Sequence, residues 1–392
     1  MNEVRFVIIG VGNMGYDESK MIVAGDVARA KLVGVCDCDP KKIERAKKTF
    51  GESIRYFNST EELFAEDDVC DAVMIATPHY DHPPIAIEAF KKGLHVLSEK
   101  PAGVYTKQVR EMNEAAAACE NQVFGIMYNQ RTTASYVKLK ELIASGELGE
   151  IRRINWIITT WYRSQAYYDS GTWRATWEGE GGGVLLNQCP HQLDLWQWIT
   201  GMMPKRVRGF ASYGKLHNIE VEDDVTVYAE YENGATGVFI TSTGDTPGTN
   251  RLEITGDRGK IVVDEGKMMF YRNRVGEREY NRTTKEGFGK PECWIIEVPV
   301  EKPVGPVGHS GILTNFTNAI LDGEQLIAPG EEGIKGLMIS NAIHLSSWLD
   351  EWVELPLDEN LYYEKLQEKI NESKVIRSNQ KKSKVVVHKS DM

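Results

Sequence analysis

Three glycines near the start of the chain have the spacing of a phosphate-binding turn. Gly10, Gly12 and Gly15 follow four apolar residues, Phe6 to Ile9, in the pattern G-x-G-x-x-G. In such a turn the first glycine allows a tight bend, the second lets the backbone approach a pyrophosphate, and the third lets a helix pack on the strand. The free amide groups of that helix favour an anion. The spacing therefore predicts a site for the phosphates of a nucleotide.

An acidic residue further along extends this turn to a dinucleotide site. Asp37 ends the second predicted strand, Lys31 to Cys36, where a ribose-binding carboxylate is expected. A carboxylate there binds the adenosine ribose and repels a 2′-phosphate, and the next residue is Cys38 rather than arginine. The pattern favours NAD over NADP. On these residues alone, a bare strand-turn-helix and the adenosyl site of a methyltransferase stay open.

A lysine between a glutamate and a proline is the first candidate for reaction chemistry. Glu99-Lys100-Pro101 follows the predicted strand 95–97, at the carboxyl edge of the sheet where ligands bind. Pro101 favours an extended conformation at Lys100. A lysine beside a nicotinamide can donate a hydrogen bond to an oxygen that is being oxidised, and so stabilise alkoxide character. Taken alone, Lys100 also fits a solvated loop residue.

The second candidate lies in the segment from the triple glycine at 181–183 to Asp194. His191 is a candidate general base, because the ordinary imidazole pKa of about 6.5 suits proton removal near neutrality. Pro190 suits the first turn of a helix. Asn187 precedes His191 by four residues, but Pro190 lies between them, so a shared helical face is not assured. A histidine with a purely structural role is the alternative.

Strand and helix patterns that position these residues alternate through the first third of the chain. The predicted strands are 6–9, 31–36, 54–57, 71–78, 95–97 and 124–127. The predicted helices are 14–24, 40–50, one from 61, 86–92 and 106–119. Alternation at these lengths predicts an α/β Rossmann fold with a doubly wound parallel sheet.

Strand patterns separated by turns dominate the later part of the chain. The runs 225–231 and 235–243 are joined by Glu232-Asn-Gly234, and an Asn-Gly pair is a strong hairpin signal. Runs at 251–255 and 260–263 fit the same sheet, and 151–161 reads as a long strand. The sequence therefore predicts a β-meander, accompanied by helices at 134–144, 311–321, 331–348 and 358–371.

Composition limits the classes of partner. The 392 residues suggest two domains, and a net charge of −11 argues against nucleic acid and anionic membranes. No run approaches the roughly 18 apolar residues of a membrane span, and the start lacks a signal-peptide pattern, so we expect a cytoplasmic protein. Six scattered cysteines are expected to be reduced thiols, and no metal site is expected.

Together the motifs resemble the Gfo/Idh/MocA family, named for glucose–fructose oxidoreductase and inositol dehydrogenase. The resemblance spans roughly residues 4 to 350. It is carried by Gly10-x-Gly-x-x-Gly15, Asp37, Ala76-Thr77-Pro78 with His82, Glu99-Lys100-Pro101, Asn129-Gln-Arg131, Trp173-Arg174, the triple glycine, His191 and Asp194.

The resemblance implies two domains and an oligomer. We expect an NAD-binding Rossmann domain at 1–128, an α+β substrate and oligomerisation domain at 129–372, and a basic tail at 373–392. The second domain is expected to carry a large, mostly antiparallel sheet, one face of which often forms an interface in this family. A homodimer or homotetramer is therefore the expected assembly.

Three sets of residues are the expected site. Lys100 and His191 are the expected catalytic residues. The expected cofactor contacts are Gly10, Gly12, Asn13, Met14, Gly15, Asp37, Thr77, Pro78, His82, Glu99 and Lys100. The expected substrate contacts are Asn187, Trp173, Arg174, Arg131, Trp161 and His309, although Trp161 fits a core or interface cluster equally well.

The expected function is NAD-dependent oxidation of a secondary hydroxyl of a sugar, glycoside or inositol, in carbohydrate metabolism. Two alternatives stay open: an NAD-dependent glycosidase or lyase that acts through a transient keto-sugar, and a non-catalytic dinucleotide-sensing protein. Many proteins resembling this one carry aspartate where Asn187 stands. Because an asparagine carries no charge, this departure leaves the proton pathway and the substrate open.

Overall fold

A six-stranded parallel sheet forms the first half of the molecule. The computed structural model describes residues 2–119, 121–171 and 173–387, with side chains through residue 374. The strand order is β3-β2-β1-β4-β5-β6, and every pair is parallel. The strands are β1 (Val4–Ile9), β2 (Ala30–Cys36), β3 (Arg55–Phe57), β4 (Ala72–Ile75), β5 (His95–Ser98) and β6 (Phe124–Ile126). This confirms the predicted doubly wound sheet.

Helices connect these strands, and their starts follow local sequence signals. The helices are α1 (Asn13–Ala24), α2 (Pro40–Phe50), α3 (Thr60–Phe64), α4 (His82–Lys91) and α5 (Thr106–Ala117). Asp39 caps α2 by accepting a bond from the Lys41 amide, and Ser59 caps α3 in the same way from Glu62. The strand order reverses between β1 and β4, which opens a crevice at the carboxyl ends of these strands.

A nine-stranded, mostly antiparallel sheet forms the second half. Its order is β14-β13-β12-β11-β7-β10-β9-β8-β15. The strands are β7 (Ile151–Ile158), β8 (Arg206–Tyr213), β9 (Glu222–Glu230), β10 (Thr236–Ser242), β11 (Asn250–Gly256), β12 (Gly259–Asp264), β13 (Lys267–Asn273), β14 (Cys293–Glu297) and β15 (Val353–Glu354).

The meander prediction is confirmed for the hairpins and wrong at the centre of the sheet. The β9–β10 hairpin forms at Glu232-Asn-Gly234, as expected. However, β7 lies between β10 and β11 and pairs parallel with β10. The side chains of Ile154, Trp156 and Ile158 on β7 are buried, and a central position gives them neighbours on both sides.

The remaining described helices follow residue 128, and some of them pack the two halves together. They are α6 (Ala134–Ala144), α7 (Gln165–Tyr168), α8 (Pro190–Trp198), α9 (Glu277–Thr283), α10 (Gly308–Asp322), α11 (Gly333–Leu349) and α12 (Glu359–Val387). Phe316 of α10 packs on Phe6 of the parallel sheet, with ring centroids 6.2 Å apart. Asn341 of α11 accepts a bond from the Thr106 amide and donates one to the Val104 carbonyl. These contacts fix the cleft between the halves.

The last helix, α12, is longer than the sequence predicts. The predicted helix at 358–371 is present, and its backbone continues through Val387, into the segment expected to be a basic tail. The tail's final residues, 388–392, lie outside the described residues. None of the described helices combines the length and the apolar character needed to cross a membrane.

Candidate active site

The glycine turn forms an open cradle at the start of α1. Gly10 has a φ of +89°, and a Cβ there would lie 2.7 Å from the Ala76 backbone. A Cβ on Gly15 would lie 2.0 Å from the Gly10 carbonyl oxygen, so the helix packs against the turn. Around Gly12, in contrast, no atom lies within 4 Å of the corresponding position. The exposed residues that follow it are Asn13 and Met14. The start of α1 is therefore accessible to a phosphate.

Asp37 lies beside this cradle, at the end of β2. Its carboxylate accepts bonds of 2.9 Å from the amides of Val11 and Asp39, and Lys42 Nζ lies 3.3 Å away. Two amide bonds and one ammonium leave acceptor capacity for a ribose hydroxyl. Arg45, which the sequence did not single out, donates to the carbonyl oxygens of the turn. The cradle and this carboxylate fit NAD.

His82 ties together the loops that follow β4 and β5. Its Nδ1 lies 2.8 Å from the Pro101 carbonyl oxygen, and its Nε2 lies 2.8 Å from that of Thr77. The ring is buried, which lowers its pKa. Thr77 itself has a buried hydroxyl without a hydrogen-bond partner in the described structure, which leaves it able to bond to a ligand. In this structure His82 positions the loop that begins at Thr77 and Pro78.

Lys100 projects from the end of β5 towards the second half of the molecule. Its Nζ donates to the Asn187 backbone oxygen at 3.1 Å, and its amide donates to the Glu99 carboxylate at 3.0 Å. Burial lowers the pKa of Lys100, whereas Glu99 and Glu180 oppose that shift. An ammonium with a lowered pKa exchanges protons more readily near neutrality. The geometry thus gives Lys100 the means to take part in proton transfer.

His191 is the second residue of α8 and is buried. Its Nδ1 has no hydrogen-bond partner among the described residues, and the Tyr128 ring lies against it edge-on. Burial lowers the pKa of His191 well below the ordinary value, and the charges of Lys100 and His309 act in the same direction. The ring is therefore neutral near pH 7, and it is a weaker base than the ordinary imidazole on which the sequence argument depended.

Asn187 lies on a π-helical turn, Val184–Gln188, that precedes α8. Asn187 and His191 therefore do not share a face of one α-helix. Glu222 holds the turn, because its carboxylate accepts bonds of 2.9 and 3.0 Å from the amides of Gly183 and Leu185. His344 Nε2 lies 3.0 Å from the other Glu222 oxygen, and both side chains are buried. No sequence pattern predicts this pair, because Glu222 and His344 are more than 120 residues apart in the chain.

Glu180 is the main site residue that the sequence argument missed. Its side chain is 2% exposed, accepts a 2.5 Å bond from the Ala175 amide, and contacts the Asn187 side-chain amide. Arg174 lies 3.8 Å away. Burial raises the pKa of Glu180 to about 7, although the Ala175 amide, Arg174 and Asn187 act in the opposite direction. His79, also missed, lies 3.0 Å from the Glu180 carbonyl oxygen.

Asn187 and Arg174 are the two expected substrate contacts that lie next to Glu180. The Arg174 guanidinium stacks on the rings of Tyr167 and Trp173, 4.7 and 4.6 Å from their centroids. It also donates to the Tyr167 hydroxyl at 2.8 Å. Trp161 is half-buried beyond the end of β7, and its indole N–H lacks a hydrogen-bond partner among the described residues. Substrate binding by Trp161, Trp173 and Arg174 stays a prediction.

Arg131 lies in a buried ion-pair network rather than in an open pocket. Its side chain is 1% exposed and donates two bonds to Asp194, at 2.8 and 2.6 Å. Its Nη1 donates to Glu332 and to the Ile327 carbonyl oxygen. Substrate binding by Arg131 stays a prediction, and it would require part of this network to open. The structure gives Arg131 a role in holding α8 against the segment that precedes α11.

His309 begins α10 and meets two carboxylates from the cofactor half. Its Nε2 lies 3.8 Å from Glu99, and Asn129 donates to its Nδ1 at 3.0 Å. No metal site was expected, yet ligand atoms of Glu18, Glu99 and His309 lie within 4.8 Å of one another. Burial raises the pKa of Glu18 well above its usual range, and Glu99 adds to the effect. A neutral Glu18 can accompany the Glu99 carboxylate without a cation.

Comparison with known proteins identifies both halves. Residues 4–126 match the model of an oxidoreductase family with an NAD-binding Rossmann fold, and residues 136–262 match the GFO/IDH/MocA C-terminal domain. A levoglucosan dehydrogenase from Pseudarthrobacter phenanthrenivorans is 26% identical, over 82% of this chain and 89% of its own. A scyllo-inositol 2-dehydrogenase (NAD(+)) from Bacillus subtilis is 25% identical, over 67% and 74%.

The fold is also similar to solved structures. The WlbA dehydrogenase from Bordetella pertussis, crystallised with NADH and UDP-GlcNAcA, superposes with a TM-score of 0.74. It is 27% identical in sequence, over 91% of this chain and all of its own. Two independent features, the glycine cradle with Asp37 and the crystallised NADH of this neighbour, agree on the cofactor.

Proposed function

The chain belongs to the Gfo/Idh/MocA family of NAD-binding oxidoreductases, and from this premise we propose that it oxidises a secondary hydroxyl of a sugar, glycoside or inositol. One observation carries the proposal. Lys100, from the cofactor half, donates to the backbone of Asn187, from the substrate half, and its pKa is lowered by burial in the cleft. A reactive group is thus held at the carboxyl edge of the dinucleotide-binding sheet.

NAD, when bound, supplies the acceptor for the hydride that leaves the carbinol carbon. The cradle at Gly12 and the start of α1 would hold its pyrophosphate, and Asp37 would hold its adenosine ribose. Thr77, Glu99 and Lys100 lie at the ends of β4 and β5, where the nicotinamide end is expected. Thr77 Oγ1 and Glu99 Oε1 are among the buried oxygens without a hydrogen-bond partner in the described structure, and they are available to it.

Lys100 and His191 share the handling of the hydroxyl proton. The Lys100 ammonium donates to the oxygen being oxidised and stabilises its alkoxide character. His191 is neutral, so its ring can accept the proton, and Lys100 can relay the proton because its pKa is lowered. Both side chains are largely excluded from water, which strengthens every electrostatic contact between them and the substrate.

The substrate is proposed to lie against Asn187, Trp173 and Arg174. Aromatic rings cover the apolar C–H faces of a sugar, while guanidinium and amide groups bind its hydroxyls. Several relatives act on compounds of this class, as their names indicate. His309 and Trp161 complete the proposed set. A homodimer or homotetramer stays a prediction. The exposed apolar residues Phe210 and Tyr228 on the second sheet, with Trp352 beside β15, support it.

The test is formation of NADH by the purified chain with NAD and a panel of polyols, sugars and aryl glycosides. We expect NADH to accumulate with at least one member. Lys100→Met and His191→Ala should each lower turnover by roughly 100-fold or more, because each removes a proton-transfer group, while NAD affinity stays nearly unchanged.

Three outcomes would contradict the proposal. Aglycone release without NADH accumulation would indicate the keto-sugar glycosidase instead. An absence of NADH with the whole panel, from protein that binds NAD, would favour the sensing protein. A fall in NAD affinity as large as the fall in turnover would contradict the catalytic assignment of Lys100 and His191. Lys107→Met, on the exposed side of α5, is the matched lysine control.

A further inference from the structure

The buried carboxylate of Glu180 touches Asn187, which lies on the π-helical turn Val184–Gln188 and cannot ionise. Asn187 places its backbone oxygen on Lys100 and its side-chain amide on Glu180. Asn187 therefore lies between Glu180 and the Lys100 ammonium and contacts both. No residue of the turn Val184–Gln188 carries an ionisable side chain. The negative charge nearest to this part of the turn comes from Glu180.

The contacts of Glu180 orient it towards the site. The Ala175 amide fixes one carboxylate oxygen at 2.5 Å, and the Asn187 amide contacts the other. Its own carbonyl oxygen lies 3.0 Å from His79, and a glycine follows at Gly181 with a φ of +83°. With 2% of its surface exposed, the side chain has almost no access to bulk water. Contacts with the Ala175 and Asn187 amides, and not bulk water, therefore determine the orientation of this side chain.

We propose, on the premise of the dehydrogenase function above, that Glu180 is a positioning residue whose ionised carboxylate is needed for turnover. Ionised Glu180 accepts the Asn187 N–H, which fixes the turn and the carbonyl that receives Lys100. Its negative charge also favours uptake of the hydroxyl proton by the neighbouring basic groups. When Glu180 is protonated, that charge is lost and the same proton enters a more positive site.

Several charged or titratable groups face Glu180, and their effects on a pH profile must be distinguished from the effect of Glu180 itself. Arg174 lies 3.8 Å away and lowers its pKa, while the Glu222 carboxylate raises it. Lys100 and Tyr168 interact with the Glu180 charge, and His79 contacts its backbone. Burial raises the pKa of Glu180 to about 7, so the carboxylate forms above that pH and is lost below it.

The experiment moves the carboxylate from position 180 to position 187, whose side chains are in contact. Wild type, Glu180→Gln, Asn187→Asp and the exchange variant Glu180→Gln/Asn187→Asp are compared across pH with the best substrate of the panel. Glu178→Gln, at an exposed glutamate two residues away, is the matched control. Wild-type kcat should fall as the pH drops through about 7, where Glu180 gains its proton.

In Glu180→Gln, kcat should fall roughly 10- to 100-fold at high pH, the size seen when outer hydrogen-bond partners of reactive groups are removed. The inflection near neutrality should disappear, and NAD affinity should not change. The exchange variant should recover at least several-fold of the lost kcat, because it returns a carboxylate to the pair. A wild-type rate and pH profile in Glu180→Gln would overturn the proposal, as would an exchange variant no faster than Glu180→Gln.

A second measurement does not depend on turnover. Infrared spectra of the wild-type protein against Glu180→Gln, recorded as a function of pH, report the protonated carboxyl stretch of Glu180 directly. We expect that band to disappear as the pH rises through about 7. A Glu180 that is ionised throughout the range would overturn the inference even if the chain is a dehydrogenase. Failure of every polyol to yield NADH would contradict the proposed function, and the infrared result would still decide the state of Glu180.

Discussion

Asp194 and Glu180 are two buried carboxylates at the junction of the halves, and they differ in their charged partners. Asp194 receives two bonds from the Arg131 guanidinium and one of 3.0 Å from Gln197. Glu180 receives bonds from neutral amides, and its nearest guanidinium nitrogen lies 3.8 Å away. Burial raises the pKa of both groups, to about 7 for Glu180. Asp194 has a full counter-charge, and Glu180 does not.

This difference separates a structural carboxylate from a titratable one. Burial lowers the pKa of Arg131, but Asp194 and Glu332 outweigh burial and raise it, so the guanidinium is always charged. This guanidinium donates two bonds to Asp194 and so holds α8 in place. A carboxylate without such a partner keeps a pKa near neutrality, which suits a group close to proton transfer. The Arg131–Asp194 pair holds α8, which carries His191. The proposed role of Glu180 is to position the turn whose carbonyl receives Lys100.

The largest expected effect comes from breaking the paired network. Arg131→Met leaves Asp194 buried without its counter-charge, and breaking a buried ion pair in this way costs about 3–5 kcal/mol. We expect the free energy of unfolding, measured by urea titration, to fall by that amount. The double variant Arg131→Met/Asp194→Leu should lose less, since it removes both charges. A loss below about 1 kcal/mol in the single variant would contradict the structural role of Arg131.

Glu180→Gln should change the free energy of unfolding by less than Arg131→Met does, and at high pH it should stabilise the protein rather than destabilise it. The folded pKa of Glu180 is about 7 against an ordinary 4.5, so its contribution to stability is complete below pH 4.5 and is lost as the pH rises through 7. At roughly 1.4 kcal/mol per pKa unit, the wild type loses about 3.5 kcal/mol over that interval. Gln keeps an acceptor for the Ala175 amide and does not ionise.

Thermal and urea unfolding at pH 5 and pH 8 measure this difference. Relative to wild type, Glu180→Gln should be more stable at pH 8 than at pH 5. Asp194→Asn is the matched comparison, because it removes a carboxylate that has a full counter-charge, and it should be destabilising at both pH values. Equal pH dependence in wild type and Glu180→Gln would contradict the raised pKa of Glu180.

The smallest effect is expected at the exposed edge of the paired network. Lys335 contacts Glu332 at 2.8 Å, but its side chain is 40% exposed. Exposed pairs of this kind contribute about 0–1 kcal/mol and are screened by salt. Lys335→Ala should therefore change the urea midpoint little, and less still at high salt. A loss as large as that of Arg131→Met would show that the network extends to the surface.

The cofactor half was predictable because its signals are local. Strand, glycine turn, helix and Asp37 follow one another within 40 residues, and each step has a physical reason that can be recognised in the sequence. The second sheet was predictable only in its hairpins. The insertion of β7 between β10 and β11 joins segments about 80 to 100 residues apart, and no local pattern encodes that pairing.

The candidate site divides in the same way. Lys100 and His191 were predicted from their motifs, but the surroundings that lower their pKa were not. Glu180 meets Asn187 only because the turn between them folds back, and Glu222 reaches the π-helical turn from another strand. Arg131 was expected to contact the substrate, and the sequence did not indicate that its donors go to Asp194 and Glu332.

The most direct test of the central claim follows the transferred hydrogen itself. The protein is incubated with NAD and a panel of polyols and sugars that carry deuterium on their carbinol carbons, and the recovered cofactor is analysed by mass spectrometry. We predict NADH that contains one deuterium with at least one compound, and its loss in Lys100→Met. Recovered cofactor without deuterium for every compound, from protein shown to bind NAD, would contradict the assignment of a hydride-transferring dehydrogenase.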